Sequence, residues 1–183
     1  DPHGHLRHPE LLYRPWLAAD GERQLQIVFR DHRLSDLIGF QYQRADYVLA
    51  AMDLLGRVEE IGRACCGAGD SPAPPLVSII LDGENCWEYY HDGGVAFLRT
   101  LYQEAARRTS IRAVRIGDHL REHPATDRLD RLFAGSWISH NFAIWIGHSE
   151  DNNAWDLLHV TRQFLVQMQS QGQTSAADLA RAW

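Results

Sequence analysis

Apolar positions along the chain fall into two rhythms. Short runs occupy about Gln24 to Phe29, Pro75 to Leu81 and Ile111 to Ile116. They end at Asp31-His32, at Asp82-Gly83 and at Gly117-Asp118-His119. The middle run, Val77-Ser78-Ile79-Ile80-Leu81, is too uniformly apolar for a sheet with one wet face and predicts a buried parallel strand. Between the runs the spacing is helical. Val48, Met52, Leu55 and Ile61 fall near one face of a helix from about Tyr47 to Cys65. Val95, Leu98, Leu101, Tyr102 and Ala105 form a stripe on a helix opened by Gly93-Gly94. Strands separated by helices predict parallel neighbours with one functional rim.

The remaining segments complete the organisation. Residues 1–23 read as irregular, anchored by Leu11-Leu12-Tyr13-Arg14-Pro15-Trp16. Leu34, Leu37, Ile38 and Phe40 predict a short turn or helix beside Asp31. Gly67 to Pro75 is a Gly/Pro-rich connection that ends the first long helix. A loop rich in Asp and Arg runs from His123-Pro124 to Gly135, followed by an aromatic and polar segment from Ser136 to Gly147. Helices are predicted from Asn152 to about Gln169 and from Thr174 to Trp183, the latter capped by Thr174 or Ser175. The chain thus begins as α/β and ends all-helical. Domains are expected over residues 1–130 and 131–183.

Composition narrows the function. With 183 residues, 45% of them hydrophobic, the chain can bury an ordinary core. A net charge of -6, from 18 basic and 24 acidic residues, argues against a nucleic-acid surface, which needs a clustered basic face. No segment approaches the roughly 20 apolar residues of a membrane span. Cys65, Cys66 and Cys86 match neither a disulfide framework nor a zinc motif, which suits a reducing, cytoplasmic setting. His3, His5 and His8 crowd an N-terminal segment read as exposed and irregular rather than metal-binding. No cofactor and no metal is expected.

Chemistry concentrates after the second run. Asp82 leaves an apolar strand and is followed by Gly83, Glu84, Trp87, Glu88, Tyr89 and Tyr90. Acids at the C-terminal ends of parallel strands are where α/β enzymes keep their chemistry. Trp rings stack on sugar faces, which makes Trp87, Trp137 and Trp145 candidates for substrate contact, with His140 and Asn141 lining the cleft. Asp31 and His32 read either as substrate-binding groups or, through Arg30-Asp31, as a structural ion pair. Glu84 is expected to hold the loop through an arginine, Asp36 to cap the turn at Ser35, and Asp118 and His119 to lie on the rim. Trp155 and Phe164, at helical spacing, are expected in a core.

Four separated motifs resemble glycoside hydrolase family 57, in that family's order. They are Tyr13-Arg14-Pro15-Trp16, Phe29-Arg30-Asp31-His32 with Leu34-Ser35-Asp36-Leu37-Ile38-Gly39-Phe40, Leu81-Asp82-Gly83-Glu84-Asn85-Cys86-Trp87-Glu88-Tyr89-Tyr90, and Gly135-Ser136-Trp137-Ile138 with Asn141-Phe142, Trp145-Ile146-Gly147 and Asn153-Ala154-Trp155. The resemblance implies an α/β fold, part of an incomplete (β/α)7 barrel with parallel strands, followed by the start of an α-helical bundle. It implies a retaining hydrolase or transglycosylase acting on α-glucans, of the α-amylase, amylopullulanase or 4-α-glucanotransferase type, with Asp82 as general acid/base.

The family's nucleophile Glu and its His-Gln-Pro motif lie N-terminal to the region matched and are absent from this sequence. The resemblance therefore implies the C-terminal part of a catalytic domain. Its expected partners are an α-glucan or maltooligosaccharide and the remainder of that domain, which would carry the nucleophile; alone, the chain is expected to be inactive. Two alternatives stand beside this reading: a non-catalytic glucan-binding module, and a metal-dependent carbohydrate deacetylase-like barrel using Asp31-His32 and Asp118-His119.

Overall fold

The computed structural model describes residues 6–66, 73–84 and 86–182. They form two compact units, residues 1–131 and 132–183.

In the first unit the chain enters through a 3-10 turn, Pro9–Tyr13, and a hairpin of β1 (Trp16–Asp20) and β2 (Arg23–Ile27). The two strands pair antiparallel, with Trp16 opposite Ile27 and Asp20 opposite Arg23, so that Gly21-Glu22 makes a two-residue turn. Gly21 has φ +58°, the left-handed backbone such turns require. The first predicted strand is therefore half of a hairpin, not a parallel barrel strand. Its partner, Trp-Leu-Ala-Ala-Asp, carries too little β signal to be read from the sequence. A two-residue strand, β3 (Arg128–Leu129), adds in parallel to the other side of β1, and the Arg14–Asp127 ion pair at 2.6 Å fixes its approach.

The second predicted strand is extended; it makes a parallel bridge between Arg30 and Ser78, and at its start the Leu76 amide donates to the Tyr13 carbonyl at 2.8 Å. The Asp31 amide donates to the Ser78 carbonyl at 2.8 Å. Val77, Ile79 and Leu81 pack against the core, and Leu76 and Ser78 on the alternate face are also buried, so the run is covered on both faces up to Ile80, which is exposed. The third predicted strand, Ile111 to Ile116, is not a strand. Arg112 and Arg115 commit to Glu122 (2.6 Å) and Asp118 (2.7 Å), acids in or beside the turn of α4 (Ile116–Glu122), and no strand edge lies beside them among the described residues.

The helices are nearer expectation. Asp31 caps α1 (His32–Asp36), which runs into a π-helical turn at Leu37–Gln41. Asp46 caps α2 (Tyr47–Cys65), accepting from the amides of Val48 and Leu49. Asp92 caps α3 (Val95–Arg107) through the amides of Gly94 and Ala96. The buried face of α2 is Ala50, Ala51, Leu54 and Leu55; of the predicted face Leu55 is buried and Ile61 packs partly buried on the core, while Val48 and Met52 are exposed. Alanines let α3 come close, and Phe97, 1% exposed, fills the join with Tyr42 and Tyr90. This cluster, with Leu34, Leu37, Ile38 and Leu54, is the core on which the Asp82 loop rests.

In the second unit, a chain of tight turns leads into α5 (Ser149–Ser170) and then α6 (Ala176–Ala182). Ser175 caps the last helix, its hydroxyl accepting from the Asp178 amide. Among the described residues no position of α5 is buried. Trp155 and Phe164, expected in a core, are 52% and 62% exposed, because one long and one short helix supply no second layer over that face. Among the described residues no helix is long and apolar enough to cross a membrane.

Candidate active site

Asp82 follows Leu81 at the end of the extended segment and is half-buried. Its position is set by bonds to the backbone around it. The Ile80 amide donates to Ser35 Oγ at 3.3 Å, and Arg30 Nε donates to the Ile80 carbonyl at 2.9 Å. Four residues after Asp82, the Cys86 thiol donates back to the Asp82 carbonyl at 3.0 Å. Burial pushes the Cys86 thiol up, and the nearby negative charges of Asp82 and Glu84 add to the shift, so it stays protonated and able to donate.

The aromatics behind Asp82 hold the loop. Tyr90 is buried and donates to the Ile38 carbonyl at 2.7 Å; burial raises its phenol to about 12. Trp87 is half-buried, 5.3 Å from Tyr90 and 6.4 Å from Phe97 between ring centroids. Gly94 lies directly under it. A Cβ there would sit 2.3 Å from Trp87 Cε3, and φ is +81°, so only glycine fits on both counts. Tyr89 is exposed beside them, as is Glu84.

Asp31 is 4% exposed and its carboxylate is occupied by structure. One oxygen accepts from the Leu34 amide and the other from the Tyr13 hydroxyl, both at 2.8 Å. The Tyr13 phenol is raised first by burial and then by this bond. Ser35 Oγ donates to the Asp31 carbonyl at 2.6 Å. Arg30 pairs with Asp36 at 2.9 Å, while both oxygens of Asp31 accept from the Leu34 amide and the Tyr13 hydroxyl. His32 is exposed and meets the other oxygen of Asp36 at 3.1 Å.

An open cavity of about 350 Å3 is lined by His32, Arg33, Asp36, Leu37, Gln41 and Arg57; Asp82 is not among its lining residues. Arg57 reaches it from α2, braced through Nε by Asp53 at 2.8 Å. Asp53 also accepts from the Tyr42 hydroxyl. The arginine, then the tyrosine, hold the Asp53 carboxyl below the usual carboxylate range.

On α4, Asp118 bonds Arg115 and Arg121, both nearby in sequence. His119 is 3% exposed, its ring 5.0 Å from that of His123, and its Nε2 has no partner among the described residues. Burial, then His123, pushes the His119 imidazolium pKa down. Among the described residues no three of His, Cys, Asp and Glu gather as a metal site needs.

The second unit presents the other sequence candidates. Ser136 Oγ lies 2.7 Å from the Asn141 carbonyl, and the Asn141 side chain accepts from the Ala143 amide at 2.9 Å. Ser139 and exposed His140 both have φ +55°, which gives the sharp bend after Trp137. Trp137 and Trp145 are 49% and 40% exposed. Trp145 packs edge-on to Phe142 at 6.4 Å, and its carbonyl accepts from Trp155 Nε1 at 2.8 Å. Asn141 therefore shapes the turn.

Tyr13, Ser35 and Cys86 stand in motifs quoted from the sequence but were given no role there, and the Tyr42–Asp53–Arg57 brace was missed. Of that brace, Asp53 and Arg57 carried a readable signal, the four-residue spacing of opposite charges on a helix.

The family model described as glycosyl hydrolase family 57 matches residues 2–131. The chain belongs to that family. The match covers the Arg30–Asp36 clamp, the Asp82 loop and the aromatics behind it. Membership of glycosyl hydrolase family 57 makes this a glycoside hydrolase or transglycosylase sequence with a carbohydrate as its substrate. No curated protein matches the chain.

Proposed function

We propose that the chain serves a retaining enzyme that hydrolyses or transfers α-glucans, with Asp82 as general acid and then general base. The observation that carries this reading is the double clamp on the Asp82 segment. Ile80 is held at both its amide and its carbonyl, and Asp82 at its carbonyl, while the Asp82 side chain takes no part in either clamp. A group that must give and take a proton at one oxygen needs a fixed backbone and an uncommitted carboxyl.

A retaining mechanism needs a second carboxylate about 5–5.5 Å from the first, as nucleophile. We assign that role to a Glu contributed by the remainder of the catalytic domain. Trp87 offers its exposed part to the sugar beside Asp82, and Trp137, Trp145 and His140 are assigned to further sugar contacts. His32 is assigned to substrate, and Asp31 acts by setting the helix that presents it.

The test is stereochemical. Proton NMR of products freshly released from a maltooligosaccharide should show the α-anomer first, before mutarotation. An initial β-anomer would mean inversion and would remove the double-displacement role from Asp82.

A further inference from the structure

The cavity beside α1 holds more positive charge than a neutral glucan needs. Its lining joins His32 and Arg33 of α1 to Arg57 of α2, with Asp36, Leu37 and Gln41. The one carboxylate among them, Asp36, already serves Arg30 at 2.9 Å and His32 at 3.1 Å. Arg33 is exposed and forms no ion pair among the described residues.

Arg57 is placed more firmly. Asp53 takes its Nε at 2.8 Å and is itself held by Tyr42. A guanidinium carries five N–H donors in a planar fork, so the bond at Nε leaves donors for a second acceptor. The brace fixes the plane in which those donors lie. Two guanidinium groups on separate elements, with an imidazole beside them, form a set that recognises a doubly charged oxyanion through charge-assisted bonds. Gln41 adds an amide able to donate to or accept from a hydroxyl, and Leu37 adds an apolar surface. A volume of about 350 Å3 is within the range of small-molecule sites.

We propose that this cavity binds the phosphate of a phosphate-bearing sugar, a hexose phosphate or the phosphorylated end of a glucan. Arg33 and Arg57 take the phosphate, and Gln41 and His32 take sugar hydroxyls. The anion half stands on the cavity alone; the sugar half rests on the glycoside hydrolase reading.

Isothermal titration calorimetry of the full chain tests it, with a hexose phosphate, inorganic phosphate and the matching uncharged hexose as probes. The hexose phosphate should bind saturably, inorganic phosphate at least tenfold more weakly, and the neutral hexose not measurably. Arg33→Gln, on an exposed side chain, should weaken the hexose phosphate at least tenfold with an unchanged thermal melt. Arg57→Lys, which keeps the charge but loses the fork, should weaken it as well. A titration without saturation, or an Arg33→Gln protein with full affinity, would overturn the site. Equal affinity for inorganic phosphate would overturn the sugar-borne source. Asp82→Asn should leave this binding intact, so a failure of the catalytic assignment is distinguishable from a failure of this one.

Discussion

The Cys86 thiol donates to the backbone carbonyl of Asp82 at 3.0 Å, closing the turn that carries the proposed proton shuttle. Removing the donor should loosen that turn rather than unfold the core. Cys86→Ala is expected to cost about 1 kcal/mol of stability, the usual net worth of one hydrogen bond. It should also lower kcat, because an acid displaced by about 1 Å transfers its proton poorly. Cys86→Ser restores a donor and should recover most of the rate. Equal kcat in wild type and Cys86→Ala would show that the bond does not position Asp82.

Gly94 lies beneath Trp87 with a left-handed backbone. Gly94→Ala combines a backbone penalty of about 1–2 kcal/mol with a steric clash against the indole. Thermal melts should fall by on the order of 5 °C. Trp87→Ala placed on the same background should regain part of the loss, since only the clash is relieved. A melt unchanged by Gly94→Ala would contradict the packing described.

Tyr13 donates to buried Asp31, and its phenol is raised by burial and by that bond. A raised folded-state pKa means that the neutral phenol is favoured in the native state. That contribution is complete below the unfolded value, about 10, and is lost as pH rises through the folded value. Absorbance titration near 295 nm should show late-titrating tyrosines, and Tyr13→Phe should remove one. The same change strands one oxygen of Asp31 and should cost about 1–3 kcal/mol.

His119 has the opposite sign. Burial favours its neutral form, so its folded pKa lies below the ordinary value. The unfolded chain therefore takes up a proton first as pH falls, and stability is lost below about pH 6.5. Melting temperature measured between pH 7.5 and pH 5 should fall, and His119→Phe should flatten that slope. An identical slope in the variant would mean that other groups drive the acid sensitivity.

What the sequence showed and what it hid have separate physical causes. The long helices were readable because period and caps agree: Asp46 starts α2, and Gly94 with Asp92 starts α3. The face of α2 was read half right, at Leu55 and Ile61; Val48 and Met52 were misplaced because the contact there is made by Ala50 and Ala51, whose small size lets α3 approach but gives little hydrophobic signal. The hairpin was missed because Trp16–Asp20 contributes backbone pairing rather than an apolar pattern. Ile111 to Ile116 has the composition of a strand, but its arginines found helix carboxylates instead of a neighbouring edge.

At the site, Asp82 and the glycine after it were visible as a strand-end acid. The clamp by Ser35, Arg30 and Cys86 was not, since two of its bonds join positions about 50 residues apart and the third is made by a thiol to a backbone carbonyl, which no side-chain pattern announces.

The most direct test of the account compares wild type with Asp82→Asn, in the enzyme that carries this chain, on two substrates. One is a maltooligosaccharide, whose leaving group needs a proton; the other is an aryl α-glucoside with an acidic phenol, which does not. The account predicts a loss of about 10²–10⁴-fold on the maltooligosaccharide, with bond cleavage in the aryl glucoside largely retained. Full activity on both substrates, or an equal loss of the first bond cleavage on both, would contradict Asp82 as the acid/base group.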